Sequence, residues 1–536
     1  MKWYVSIFII FALMTALVAC TLFQNNFLGN HQHDFDRPRT LTKDAAQRIL
    51  SNYDKHQNYP GLSISYPYMK SVFPAEIAAP TFIWKDTNSA SNNWLIVVEF
   101  KNGQESIYAL VYEKKWLPEN HLWEIIKANS ISSPTEVSIL GISNKVDFEI
   151  TSSDTVHFKT SEDKVESSVF YRQVPLPFKI AGTSFEKTRW CLGDISSYGN
   201  PAVVMEKIPV CASCHFFSRN GKIISMEMNY NNDSGAHFTV PVTKHIRLSR
   251  TNFFSWNDFP RQGALPPSRG LFAKMSPSGR YVVSTINEIS YAVIFEKIDF
   301  SQLFFPTYGV LGIYDVEKKK FYLLPGADDY DFVQTNPNWS PDEKYIVFAR
   351  AKTKNEIHED ILNIKAIYDN TDIHTLNKIN NIQFDLYRIA FNQGKGGVPE
   401  PIEGASNNGM SNYFARYSPN GKWIVFTQSK TGIMLQPDSQ LFIISSGGGL
   451  ARKMRCNRSL FNSWHSWSSN GRWLLFSSKV NSPFTEIFVT HVDDEGNDSP
   501  PVLLSRFSEV GYAANVPEFV NIKPDAIQNI SLVDHR

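Results

Sequence analysis

Five times from residue 217 onward an aromatic or apolar residue is followed by a serine, a tight turn, a basic residue and an apolar strand. The segments are Phe217–Ile224, Met275–Val282, Trp339–Ile346, Tyr417–Ile424 and Trp467–Leu474. Tyr417-Ser418-Pro419-Asn420-Gly421-Lys422-Trp423-Ile424 shows the plan in full. Proline presets the first turn position and glycine supplies a positive φ, so each segment reads as a β-hairpin. The flanking strands are β-branched and aromatic, as strands packed on both faces require. The equivalent positions 221, 279, 343, 421 and 471 lie 58, 64, 78 and 50 residues apart. That spacing suits one four-stranded blade per repeat plus insertions, hence a β-propeller. Asp342-Glu343 stands where the other turns have glycine second, so this turn is expected to be looser.

These repeats resemble the TolB-like, WD40-like (PD40) propellers over about residues 200–520, and the resemblance implies six blades although five hairpins can be counted. The propeller is expected over 195–525. A closer resemblance, to exported TolB-like proteins that carry a C-x-x-C-H motif in the first propeller hairpin, rests on Phe170-Tyr171-Arg172, Trp190–Ser197, Cys211–Lys222, Gly409–Phe414 and Asn462–Trp467. It implies component parts and no particular reaction.

Lys2 precedes an apolar run from Trp3 to Ala19, shorter than the ~20 residues of a spanning helix, which reads as an export signal over 1–19. Leu17-Val18-Ala19-Cys20 resembles a bacterial lipobox, and by that resemblance Cys20 becomes the lipidated first residue of the mature chain. An ordinary secretory signal with a chance cysteine is the alternative. Thr21 follows and not Asp, which under one sorting rule favours the outer membrane. The expected location is the bacterial cell envelope, lipid-anchored, at the outer membrane or facing the periplasm.

Residues 20–60 read as a tether with a short helix from Thr42, which is a plausible N-cap. His31 and His33 sit in that tether as weak metal candidates. From 61 to 185 short β segments such as Trp94–Phe100 and Ile107–Tyr112 alternate with Asn/Gly turns, with one helix at Leu122–Ala128. This predicts a β-sandwich of immunoglobulin-like type, so the chain as a whole is expected to be all-β.

Cys211-Ala212-Ser213-Cys214-His215 has the C-x-x-C-H form that attaches a c-type haem. Two thiols at this spacing can add to the two vinyl groups of one porphyrin, with the histidine beneath the iron. A disulfide, a thioredoxin-like pair and half a zinc site are the plainer readings. Cys191 and Cys456 are isolated, and no βαβ unit surrounds the pair. With covalent haem c, His215 is the proximal ligand and the distal position decides between electron carrier and ligand binder. Met226 is the distal candidate, with Met228, His237 and His465 behind it; core filling is the ordinary use of each. His465 lies two residues before the tryptophan that opens a hairpin, which places it near the central channel.

The 53 basic and 52 acidic residues give no general attraction to nucleic acid. There is no G-x-S-x-G elbow, P-loop, H-E-x-x-H or dinucleotide fingerprint. Three functions remain open. The first is electron transfer or a redox-linked envelope complex through one covalent haem. The second is a non-enzymatic envelope scaffold whose propeller face binds protein partners. The third is an accessory to carbohydrate or peptide processing.

Overall fold

The computed structural model describes residues 38–143, 148–260, 263, 265, 267–294, 302–353, 377–378 and 382–533. Cys20, His31 and His33 lie outside them. Two compact units account for the chain, one formed by residues up to Lys70 with Ala79–Thr160, the other by Ser71–Ala78 with Ser161–Arg536.

The first unit is built from two antiparallel sheets. One runs in the order Arg39–Thr40, Ile107–Val111, Asn93–Glu99, Thr135–Ser143, Glu149–Thr160; the other joins Leu62–Tyr66, Phe82–Asp86 and Lys115–Trp116. The expected short helix spans Lys43–Leu50, and Thr42 caps it by accepting from the Ala45 N–H at 3.4 Å. The second expected helix spans Asn120–Asn129 and buries Trp123 and Ile126. No helix among the described residues is long and apolar enough to cross a membrane.

The second unit is a six-bladed β-propeller, and it begins earlier than the turn repeats suggest. Ser168–Pro175, Arg189–Gly193 and Ala202–Met205 form the outer three strands of blade 1. Its innermost strand is Tyr512–Val520, from the far end of the chain. Five consecutive four-stranded sheets follow, whose inner strands are Ala212–Phe217, Leu271–Met275, Phe332–Trp339, Ser411–Tyr417 and Asn462–Trp467 for blades 2 to 6. Blade 1 has no hairpin between its first two strands because one comes from each end of the propeller segment. This is why only five turns can be counted for six blades. It also takes Ser168–Pro175 out of the 61–185 sandwich expected from the strand spacing, since its partners are Arg189–Gly193 and Tyr512–Val520. The C–x–x–C–H segment accordingly belongs to blade 2. A second closure pairs His245–Leu248 in parallel with Asn529–Leu532.

The five turns share one hydrogen-bond scheme. The carbonyl of Ser218, Ser276, Ser340, Ser418 or Ser468 accepts from the N–H three residues on at 2.8–3.0 Å. The same serine's Oγ accepts from the N–H five residues on at 2.9–3.2 Å. The closing residue is left-handed in each, at φ 70° for Gly221, 83° for Gly279, 72° for Gly421 and 71° for Gly471. Glu343 adopts φ 59° and closes its turn as tightly as the glycines do, so this turn is not looser. Its carboxylate accepts from the Ser278 N–H and, at 3.1 Å, from the Ser278 hydroxyl of the neighbouring turn. Those bonds offset the ~1 kcal/mol that a left-handed non-glycine residue costs.

The second strands are apolar without interruption because both faces are covered. Ile346 and Phe348 pack with Val283, Leu311 and Ile313 of blade 3, while Val347 between them packs with Ala415, Ile424 and Phe426 of blade 5. Each such side chain contributes about 1.5–3 kcal/mol.

Candidate functional site

Every inner strand of the propeller breaks register once, shortly before its turn. The breaks fall at Ala212/His215, Leu271/Lys274, Thr335/Asn338, Tyr413/Arg416 and Ser463/Ser466, with a matching break at Phe170/Arg172 against the sixth inner strand. Five of these bulges hold a non-glycine residue in the left-handed region: Phe272 at φ 57°, Asn336 at 53°, Phe414 at 52°, Trp464 at 49° and Val516 at 51°. Such strain costs on the order of 1–2 kcal/mol per residue and survives where surrounding packing imposes it, often at a site.

The bulges give the channel three tiers. The throat is formed by the five left-handed residues together with Cys214 of blade 2. Two residues further along come Phe216, Lys274, Asn338, Arg416, Ser466 and Glu518; in five of the six strands this is the residue two places before the hairpin serine or its equivalent. At the rim stand Phe217, Met275, Trp339, Tyr417, Trp467 and Phe519. The throat cavity measures about 50 Å³ and the mouth above it about 190 Å³; Lys274, Asn338 and Arg416 line both.

The middle tier carries the charge. Arg416 and Glu518 form an ion pair at 3.7 Å, with side chains 18% and 13% exposed. Lys274 lies over the Phe216 ring at 4.8 Å. Burial, reinforced by Arg416, lowers the Lys274 ammonium to about 8; Glu518, Cys214 and Glu227 pull it back up. Burial raises the Glu518 carboxyl against the pull of Arg416 and Lys274. His465 faces the throat as the sequence predicts, 1% exposed, with Nε2 against the Val425 carbonyl at 2.9 Å and Nδ1 without a partner. Burial, then Arg416, holds its imidazole near pKa 3, so it is neutral and Nδ1 is an acceptor. Asn336, 4% exposed, also leaves Oδ1 without a partner.

The C-x-x-C-H residues are divided by the strand that carries them. Cys214 and His215 are consecutive in an extended strand, so their side chains take opposite faces. Cys214 goes with Phe216 to the throat and the core between blades 2 and 3. Burial, then Glu227, pushes its thiol up to about 12. His215 goes to the core between blades 1 and 2, is 0% exposed, and meets Phe170 edge-on at 4.6 Å. Neither ring nitrogen meets a partner in hydrogen-bond geometry, although the Phe170 carbonyl pulls weakly on the ring. Burial, then Lys274 and Arg416, holds this imidazole well below its ordinary range.

Covalent haem does not fit this arrangement. It requires both thiols and the imidazole on one side of a single porphyrin, and Cys214 and His215 diverge. Met226 stands directly opposite His215 in the antiparallel ladder, on the same face. Such partners lie side by side about 5 Å apart, which leaves no plane between imidazole and thioether for a porphyrin. Met226 is therefore a core residue, 0% exposed among Phe170, Ile224 and Phe238, and so is Met228. The throat beside Cys214 is small against the 300–1,000 Å³ of ordinary ligand sites. His237 is likewise internal, bonded to Ser225 Oγ at 2.7 Å. Cys211, Cys214, Cys191 and Cys456 are all free thiols. Among the described residues no group of three or more His, Cys, Asp or Glu is placed to hold a metal ion.

Sequence reading missed Lys274, Arg416, Glu518 and Asn336. For Lys274 and Arg416 a signal existed: both stand two residues before a repeated Ser-Pro, where the register breaks. Glu518 had none, since blade 1 lacks the hairpin.

No protein-family model and no curated protein matches the chain. Solved structures similar to it include a TolB protein from Agrobacterium tumefaciens, at 14% identity over 68% of this chain and 94% of that one, TM-score 0.34. An oligogalacturonate lyase in complex with manganese aligns at 13% over 57% and 70%, TM-score 0.35. A chain of the nidogen/laminin complex aligns at 6% over 66% and 98%, TM-score 0.37.

Proposed function

We propose that this chain is a lipid-anchored, TolB-like scaffold of the bacterial cell envelope that binds protein partners through the turn-bearing face of its propeller. The observation that carries the reading is the mouth of about 190 Å³, rimmed by Phe217, Met275, Trp339, Tyr417, Trp467 and Phe519 above a buried charged tier. Aromatic side chains around a polar centre are the usual anchors of protein recognition. Export and anchoring rest on the N-terminal signal and Cys20. The channel's five left-handed bulges support a binding role, since they hold Phe272, Asn336, Phe414, Trp464 and Val516 around one throat.

A photo-crosslinking residue placed at Tyr417 or Trp467 in the expressing cell tests this. The expected result is the same discrete adduct from both positions. None is expected from Val398 or Leu450, which are 82% and 85% exposed and lie off the mouth. Equal labelling at all four positions, or none at the rim, overturns the reading. The redox alternative has its own test: a pyridine haemochrome spectrum on protein matured in a haem-attaching host. A Soret band that survives acid-acetone would require Ala212–Phe217 to leave the core and would overturn the scaffold reading.

A further inference from the structure

The throat and the tier above it hold two cations, two neutral acceptors and one carboxylate, and the carboxylate matches only one of the cations. Glu518 pairs with Arg416, while Lys274 has the Phe216 ring and no carboxylate within ion-pair distance among the described residues. Glu227 bears on Lys274 from the second strand of blade 2, yet its oxygens are engaged by Ser213 Oγ at 2.6 Å and the Ala273 N–H at 3.0 Å. Asn336 Oδ1 and His465 Nδ1 are buried acceptors without donors, on residues that line the same cavity. A buried polar atom left unpaired costs about 1–3 kcal/mol, and a buried ammonium more, so Lys274, Asn336 and His465 call for a ligand with complementary atoms.

The geometry points to a C-terminus site: the throat takes the terminal carboxylate of a partner polypeptide, with Lys274 and Arg416 on the carboxylate and Asn336 and His465 accepting from the last peptide N–H. This rests on the scaffold reading and specifies what enters the mouth. A peptide's last residue presents a carboxylate and an N–H donor within a few ångströms, which is the combination the throat lacks. The cavity of about 50 Å³ admits such a head group, and the mouth of about 190 Å³ has room for the side chains behind it. An acidic polysaccharide, with a carboxylate on every ring, would need cations along the mouth. There the further cation is Arg219, whose guanidinium lies 3.5 Å from the Pro341 carbonyl.

N-acetylphenylalanine, its C-terminal amide and galacturonate, titrated against the full chain by tryptophan fluorescence and calorimetry, test the proposal; Trp464 and Trp467 line the two cavities. The acid is expected to bind at least tenfold more tightly than the amide. Arg416→Gln and Lys274→Gln each weaken the acid tenfold or more and leave the amide unchanged. Glu518→Gln, which removes the internal competitor, tightens the acid several-fold and keeps the test decisive if either cation variant fails to fold. Equal binding of acid and amide overturns the site, and galacturonate binding as tightly as the acid overturns the peptide source. If rim cross-links persist while acid and amide bind alike, the carboxylate site falls and the scaffold stands. Tight acid binding without rim adducts overturns the scaffold's docking face and leaves the anion site.

Discussion

The inner strands of blades 2 and 5 end in nearly the same turn, Ser218-Arg219-Asn220-Gly221 and Ser418-Pro419-Asn420-Gly421, and the turns bond alike. Behind the turns the strands diverge. Blade 5 breaks register at Tyr413/Arg416, sets Phe414 left-handed in the throat and delivers Arg416 to the charged tier. Blade 2 breaks at Ala212/His215, one residue further from its turn, yet the same offsets from the serine face the channel: Cys214 takes the throat where blade 5 has Phe414, Phe216 the middle tier where blade 5 has Arg416, and His215 turns into the core. The offset from the turn thus decides which positions meet the channel, because side chains alternate with period 2, and the residue type at those positions decides the charge delivered there. The turns encode the architecture, and the residues two and four places before them encode the site.

The largest effect should come from blade 5. Arg416→Met leaves the Glu518 carboxylate buried without its partner, so a loss of about 3 kcal/mol is expected in chemical denaturation. Adding Glu518→Leu should restore most of it. A single variant as stable as the double would show that the two groups are solvated independently and that blade 5 contributes no more charge to the tier than blade 2.

Next comes acid. His465 is held near pKa 3 against 6.5 when unfolded, so the unfolded chain binds the extra proton between those values. Its contribution is full above pH 6.5 and is lost as the pH falls toward 3. Comparing wild type with His465→Gln from pH 7 to pH 4 should show the variant's relative stability improving by about 3 kcal/mol on acidification. A difference independent of pH would mean that the imidazole takes up its proton in the folded protein as readily as in the unfolded chain.

His215→Leu probes the divergent strand directly. The variant removes two unpaired nitrogens from a fully buried position and is expected to stabilise the protein by about 1–2 kcal/mol. A destabilisation of that size would show that the imidazole has a partner, and with it a role for the C-x-x-C-H motif. The smallest effect is at a turn: Glu343→Gly relieves a left-handed residue but loses both bonds to Ser278, so a change within about 0.5 kcal/mol is expected in thermal unfolding. A loss above 1 kcal/mol would make that inter-blade contact a structural tie.

The sequence by itself determined the repeating unit. Ser, Pro and Gly at fixed offsets close a hairpin through local hydrogen bonds, and a doubly covered sheet must be apolar on both faces, as in Ile346-Val347-Phe348. The helix capped by Thr42 was legible for the same reason, and His465 was placed at the channel from its offset to Trp467. Only the tertiary structure decided that Tyr512–Val520 completes blade 1, that Cys214 and His215 face different cores, and that Lys274, Arg416 and Glu518 meet on one axis. Those outcomes depend on ring closure and on which blades stand side by side, and both are set by contacts between residues as far apart in sequence as Ser168 and Val520, which no local pattern records.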